Sequence, residues 1–169
     1  MQSEVKFKSI GKVYRIEAKQ FLPISLKEAW LFFSNPRNLS LITPPQMKMK
    51  VLSGVDRNIY SGQIIQYSVS PLPFFKTTWV TEILNVEELH SFADEQRFGP
   101  YVFWHHKHFF KEVNGGVEIL DLVDYVPPFG LLGRLVHPFI IKPKLAEIFK
   151  FRENVLAAHF ASELKHSEV

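Results

Sequence analysis

Trp104, His106, His108 and Phe110 occupy alternate positions. Alternation along a strand sends all four side chains to one face. Asp94 and Gln96 share that spacing upstream of a Gly99-Pro100 turn, and Asp121 alternates with Val123 and Tyr125 downstream. Neighbouring strands lie about 4.8 Å apart. Asp94, Gln96, His106, His108 and Asp121 can therefore meet if the registers cooperate. Such a cluster supports three chemistries. It can be a hydrogen-bonded network that fixes strand register and imidazole tautomers. It can be a polar patch that orients a ligand's head group. It can be a metal or general acid–base site, since two histidines at i and i+2 plus a carboxylate suit a divalent cation. Register is not written in the spacing, so all three stay open. His-x-His without a further histidine at tight spacing is a weak metal signal, and His105 points to the opposite face. The expectation is no metal and no cofactor.

Arg152 interrupts an apolar helical stripe between Ile148/Phe149 and Val155/Leu156. An inward guanidinium is costly unless paired. One reading lets it snorkel to the sheet edge or pairs it with a carboxylate such as Asp94 or Asp124; the other makes it an anchor for an anionic ligand group. Val126 to Ile141 also has two readings. It is a loop and short helix capping one end of the core, or a mobile gate that touches a membrane transiently while a lipid enters. Leu131, Leu132, Leu135, Val136, Phe139 and Ile140 supply apolar surface there, and Arg134, His137 and Lys142 supply polar anchors.

The elements that must position these residues follow from pattern. Val13 to Phe21 alternates as a strand. Ser25-Leu26-Lys27-Glu28 is a capping box that opens a helix, with Ala29, Trp30, Phe32 and Phe33 on its apolar side. Pro36 starts a second short helix. Strands are predicted around Met47–Val51, Gln63–Val69 (ended by Pro71 and Pro73), Phe75–Ile83, Leu89–Arg97, Tyr101–Val113 and Val117–Val126. Asn114-Gly115-Gly116 marks the last hairpin. Pro138 and Pro143 interrupt the segment from Leu131 to Ile141. Beyond Pro143, Leu145, Ile148, Phe149, Leu156 and Phe160 recur at helical spacing. The sum is an α+β chain: a curved antiparallel sheet of about seven strands with a long C-terminal helix on its concave face.

The chain has 169 residues, so one domain is expected over 1–169, with a core of about 12–162. It contains no cysteine, which excludes disulfides, thiolate metal sites and a cysteine nucleophile. The net charge of +3 comes from scattered basic residues, whereas a nucleic-acid binder shows a dense patch. Sixteen phenylalanines are an excess that fits either a bulky core or a large apolar cavity. The Met1–Gly11 stretch lacks a secretory h-region, and no apolar run reaches the roughly 18 residues of a membrane span. Gly-x-Gly-x-x-Gly, P-loop and Gly-x-Ser-x-Gly motifs are missing.

Three stretches carry a family resemblance. The first is Ala29-Trp30-Leu31-Phe32-Phe33-Ser34-Asn35-Pro36-Arg37-Asn38-Leu39 followed by Ile42-Thr43-Pro44-Pro45. The second is Asp94-Glu95-Gln96-Arg97-Phe98-Gly99-Pro100-Tyr101 followed by Trp104, His106, His108 and Phe110. The third is Asp121-Leu122-Val123-Asp124-Tyr125 with Pro127, Gly130 and Gly133, then Ile148-Phe149-Lys150-Phe151-Arg152. With the order of elements, they resemble the helix-grip fold of the SRPBCC, or START-like, superfamily, which includes the birch-pollen allergen group and polyketide cyclases. The resemblance implies a deep cavity between sheet and long helix that holds a hydrophobic or amphipathic small molecule.

The expected function is binding, or transport, of a lipid-like or polycyclic molecule by a cytoplasmic protein. The expected ligand-binding residues are Trp30, Tyr67, Trp79, Gln96, Trp104, His106, His108, Asp121, Phe149 and Arg152. Two alternatives stand beside it: a cyclase- or dehydratase-type enzyme using His106, His108 and Asp121, and a regulatory or interaction domain with a closed core.

Overall fold

The computed structural model describes residues 4–72 and 74–167, with side chains through Ala161. Among the described residues eight strands form one curved antiparallel sheet: β1 (Glu4–Ile10), β2 (Val13–Leu22), β3 (Lys50–Ser53), β4 (Ile64–Leu72), β5 (Phe75–Glu87), β6 (Ser91–Phe98), β7 (Phe103–Val113) and β8 (Gly116–Val126). Their order across the sheet is β1-β2-β8-β7-β6-β5-β4-β3. β8 therefore returns from the far side to pair with β2, and the histidine strand β7 lies in the middle of the sheet. Asn114 and Gly115 make the two-residue turn between β7 and β8, and Gly115 takes φ +82°. That left-handed conformation favours glycine.

The eighth strand is β1, absent from the sequence expectation of about seven. Its alternation is short and heavily charged, and it is legible only against a partner. Val5 and Phe7 turn inward onto the helix side of the sheet, while Glu4, Lys6 and Lys8 line the outer face of this edge strand. β4 also runs further than expected, through Pro71 to Leu72. A register shift between Val69 and Leu72 accommodates the missing proline N–H. Pro73 lies outside the described residues.

The capping box forms as its sequence dictates. The Glu28 N–H donates to Ser25 Oγ, and the Ser25 N–H donates to Glu28 Oε2 at 2.8 Å. It opens α1 (Leu26–Phe33). The second short helix is a 3-10 turn over Pro36–Ser40, capped by the Asn35 side chain. Met47 sits in a further 3-10 turn, Pro45–Met47, and not on a strand. Pro44 and Pro45 lead into it, and Lys48 leaves it in a left-handed conformation.

Pro138 and Pro143 bend the C-terminal region without separating it into pieces. α2 (Gly130–Val136) passes through a π-type turn, His137–Ile141, directly into α3 (Lys142–Ser167). The Lys142 N–H donates to the His137 carbonyl five residues back, which shifts the ladder around the two prolines. α3 crosses the concave face. Leu145 and Phe149 pack on Ile16, Ala18, Val123 and Tyr125, and Leu156 and Phe160 join the cluster of Trp30, Phe92 and Phe110. Among the described residues no helix is long and apolar enough to cross a membrane.

Candidate functional site

The registers bring most of the polar cluster together. Asp94 pairs with His106 across β6–β7, and His108 pairs with Asp121 across β7–β8. Each carboxylate thus faces one histidine directly and the other on the diagonal, within reach of long side chains. Asp94 Oδ2 lies 3.0 Å from His108 Nε2 and 3.5 Å from His106 Nδ1. Asp121 Oδ1 takes the opposite nitrogens, His106 Nε2 at 3.1 Å and His108 Nδ1 at 2.6 Å. The His108 Nδ1 contact is close but off the line of a well-directed hydrogen bond. The imidazoles lie against one another with centroids 3.9 Å apart, and Phe92 stacks on His108 at 4.2 Å. From the helix side, Arg152 donates Nη2–H to Asp121 at 3.1 Å and sits over the Phe33 ring.

These groups are buried, so their charges must balance. Burial alone would raise Asp121, yet Arg152 and the two histidines hold it well below the usual carboxylate range. Burial likewise opposes the charge on Asp94, and His106, His108 and Arg152 outweigh it and lower its pKa. Burial disfavours an imidazolium at His108, but Asp121 and Asp94 win and raise it. His106 moves the other way, lowered by burial and then by the positive charge of His108. Two carboxylates, two imidazoles and one guanidinium thus share one buried cluster, in which each carboxylate is offset by opposite charge or hydrogen-bond donors, the condition under which burial is tolerated.

One face of this cluster looks into a cavity of about 500 Å³ between the sheet and α3. Asp94, His106, His108 and Arg152 line it on one side. The remaining wall is mostly apolar. β4 gives Ile65, Tyr67 and Val69; β5 gives Trp79, Thr81 and Ile83; α3 gives Leu145, Ile148 and Phe149. The cavity reaches the surface where Leu72, Phe75, Phe129 and Ile140 line it, all of which are exposed. Trp104 and Tyr101 complete an aromatic corner, with Trp79 edge-on to Trp104 at 5.4 Å.

Of the ten residues singled out in the sequence, Tyr67, Trp79, Trp104, His106, His108, Phe149 and Arg152 line the cavity. Trp30, Gln96 and Asp121 do not. Trp30 lies inside the packed core, edge-on to Phe92 and Phe110. Gln96 is spent on the β6–β7 turn, where its side-chain amide bonds the Tyr101 carbonyl and N–H at 2.7 and 3.2 Å. Asp121 stands behind the histidines, covered by them and by Arg152. Asp124 cannot reach Arg152. Strand alternation places it on the convex face, where Arg15 grips it through two bonds of 2.6 and 2.8 Å.

Asp94, His106 and His108 each present one donor atom, and the three atoms lie within 4.8 Å of one another. These three are the donor set that could hold a cation. Sequence reasoning also placed His137 among the polar anchors of the gate. It is instead buried, stacked on Tyr14 at 3.7 Å and bonded to Tyr125 Oη at 2.7 Å. It fastens the α2–α3 junction to the sheet. Tyr125 was legible as inward-facing from its alternation with Asp121, but nothing local marks His137 as its partner. Gly133 is a second fastening point, since a Cβ there would collide with the Pro128 carbonyl.

No protein-family model and no curated protein matches the chain. Solved structures do. Protein Ms6760 from Mycobacterium smegmatis superposes with a TM-score of 0.63 at 18% identity, over 92% of this chain and 98% of that one. Ara h 8.0201 gives 0.61 at 16% identity, over 86% and 98%. The major latex-like protein 151 of Panax ginseng gives 0.64 at 12% identity, over 89% and 99%. At these identities the likeness is one of fold alone: the chain adopts the helix-grip architecture of these structures, a curved antiparallel sheet closed by a long C-terminal helix.

Proposed function

We propose that the protein binds a hydrophobic or amphipathic small molecule, lipid-like or polycyclic, in the cavity between sheet and α3. The single observation that carries this reading is the cavity itself. Its volume of about 500 Å³ falls within the roughly 300–1,000 Å³ of small-molecule sites. A mostly apolar wall with one convergent polar patch is the usual composition of such sites. A closed-core interaction domain would have no such space. The apolar body of the ligand lies against Tyr67, Val69, Trp79 and Phe149. Its polar end meets Asp94, His106, His108 and Arg152.

The mouth supports entry from a membrane, and with it transport. Phe129, Leu131, Leu132, Leu135 and Phe139 are all largely exposed on the segment beside the opening. Arg134, Lys142 and Lys144 lie among them, the composition of an interfacial helix. Phe129 takes φ +63°, a strained conformation for a bulky residue, immediately before Gly130 at φ +54°. This pair is the hinge of a gate that opens on lipid. The absence of cysteine suits the reducing cytoplasm as the place of action.

Titration of the full chain with a fluorescent fatty-acid analogue tests the proposal. Saturable binding at one site, displaced by unlabelled fatty acid or a polycyclic competitor, is the expected result. Unsaturable partition, or none, would refute it. Sedimentation with anionic vesicles tests the membrane contact separately, through the Leu131→Ser/Phe139→Ser variant, which should remain in the supernatant.

A further inference from the structure

We propose that Asp94, His106 and His108 form a site for one divalent transition-metal cation in the cavity wall, with Asp121 as the outer carboxylate that bonds His106 and lies against His108. The site goes beyond the ligand-binding reading and does not depend on it.

Four observations converge. The first is donor spacing. Asp94 Oδ2 lies 3.5 Å from His106 Nδ1 and 3.0 Å from His108 Nε2. Donors about 2.0–2.1 Å from a metal, at tetrahedral or right angles, stand roughly 3.0–3.4 Å apart. The second is the other side of each ring. His106 Nε2 and His108 Nδ1 both turn to Asp121 Oδ1, at 3.1 and 2.6 Å. Metal-bound histidines almost always have a carboxylate, a backbone carbonyl or a water at the remote nitrogen, and such a partner fixes ring orientation and strengthens the ligand. Arg152 holds that carboxylate in place in turn.

The third is charge. Asp94 and Asp121 bring two negative charges to a buried site that holds one guanidinium, so a cation complements it. The fourth is access. All three donor residues line the cavity, so further coordination positions open onto it and can take an oxygen of a bound molecule. Two imidazoles and one carboxylate suit zinc, iron(II), cobalt(II) or manganese(II) better than the all-oxygen preference of magnesium or calcium.

The test uses Co²⁺ as probe, titrated into the chelator-stripped full chain and followed by its visible absorption, with Zn²⁺ as competitor. One equivalent of Co²⁺ displaced by Zn²⁺ is expected. Asp94→Asn and His106→Gln should each weaken binding by more than about 100-fold. Asp121→Asn should cost about 10–100-fold, the range typical of outer-shell partners. His105→Gln, on the opposite face, should change nothing. Should a variant fail to fold, X-ray absorption of the zinc-loaded wild type must still show two imidazole nitrogens. No spectral change in the folded wild type with excess Co²⁺ would overturn the proposal. So would full affinity in Asp94→Asn and His106→Gln, or zinc without imidazole ligands.

Discussion

His108 stands directly across the β7–β8 ladder from Asp121, with its Nδ1 2.6 Å from Asp121 Oδ1. Arg152 of α3 reaches the same carboxylate from the other side at 3.1 Å. Sheet and helix are therefore joined through one buried anion. Removing one partner leaves the others buried without their counter-charge.

That arrangement predicts strong coupling. Asp121→Ala should destabilise the protein by about 3–5 kcal/mol, because it leaves Arg152 buried and unpaired. In Asp121→Asn/Arg152→Met the loss should be smaller than the sum of the two single losses by at least about 1 kcal/mol. Urea denaturation of the wild type, Asp121→Ala, Asp121→Asn, Arg152→Met and the double variant measures this. Additive losses would show that the two groups do not share an interaction.

Two tryptophans should separate stability from binding. Trp30→Ala should cost about 3–5 kcal/mol, since Trp30 lies in the packed core away from the cavity. The protein that remains folded should bind a hydrophobic probe as the wild type does. Trp79→Ala should cost less stability and weaken the probe by about tenfold or more, because Trp79 is a half-buried wall of the cavity. Denaturation and probe titration on both variants decide it. A reversed pattern would place the binding space elsewhere.

Arg152 should discriminate by ligand charge. A charge-assisted bond contributes about 1.5–3 kcal/mol, so Arg152→Leu should weaken a fatty acid by about 10–100-fold. The corresponding fatty alcohol should lose far less. Equal losses, measured per folded molecule, would remove Arg152 from the ligand's polar end.

His137 predicts an acid-sensitive junction. Burial, and then Lys142, lower its pKa below the ordinary 6.5. Folding therefore favours the neutral ring. The sign follows: the stability it supports is fully present above about pH 6.5 and is lost as pH falls through the depressed folded value. The facing groups are Tyr14, Tyr125 and Lys142, none of which is acidic. Thermal melts between pH 7.5 and about 5 should show a steeper acid loss in wild type than in His137→Gln. Parallel curves would contradict the assignment.

The site was legible in the sequence to the extent that strand alternation governs it. Trp104, His106 and His108 turned inward together because period two leaves no other choice within one strand. The long-helix stripe was legible for the same reason at period 3.6. Arg152 was readable as a guanidinium on the apolar stripe, with a carboxylate pair as one of its readings. Its partner was not: Asp94 and Asp124 were the carboxylates expected, whereas register and strand face bring Asp121 to it instead. Trp30 shows the reverse limit. Its apolar helix face was plain, but whether that face meets a void or Phe92 and Phe110 depends on packing across three elements. β1 escaped because an edge strand has half the usual burial to reveal it, and its charges belong to that edge.

Occupancy of the cavity decides the account most directly. Native mass spectrometry of the protein as purified, compared with a Val69→Trp variant that fills the space, provides that measurement. Val69 is fully buried and lines the cavity wall. The wild type, as isolated or after incubation with a fatty acid, should carry one small-molecule adduct released by organic extraction. The folded Val69→Trp protein should carry none. A wild type that takes up no apolar molecule, or a blocked variant that takes it up equally well, would contradict the account.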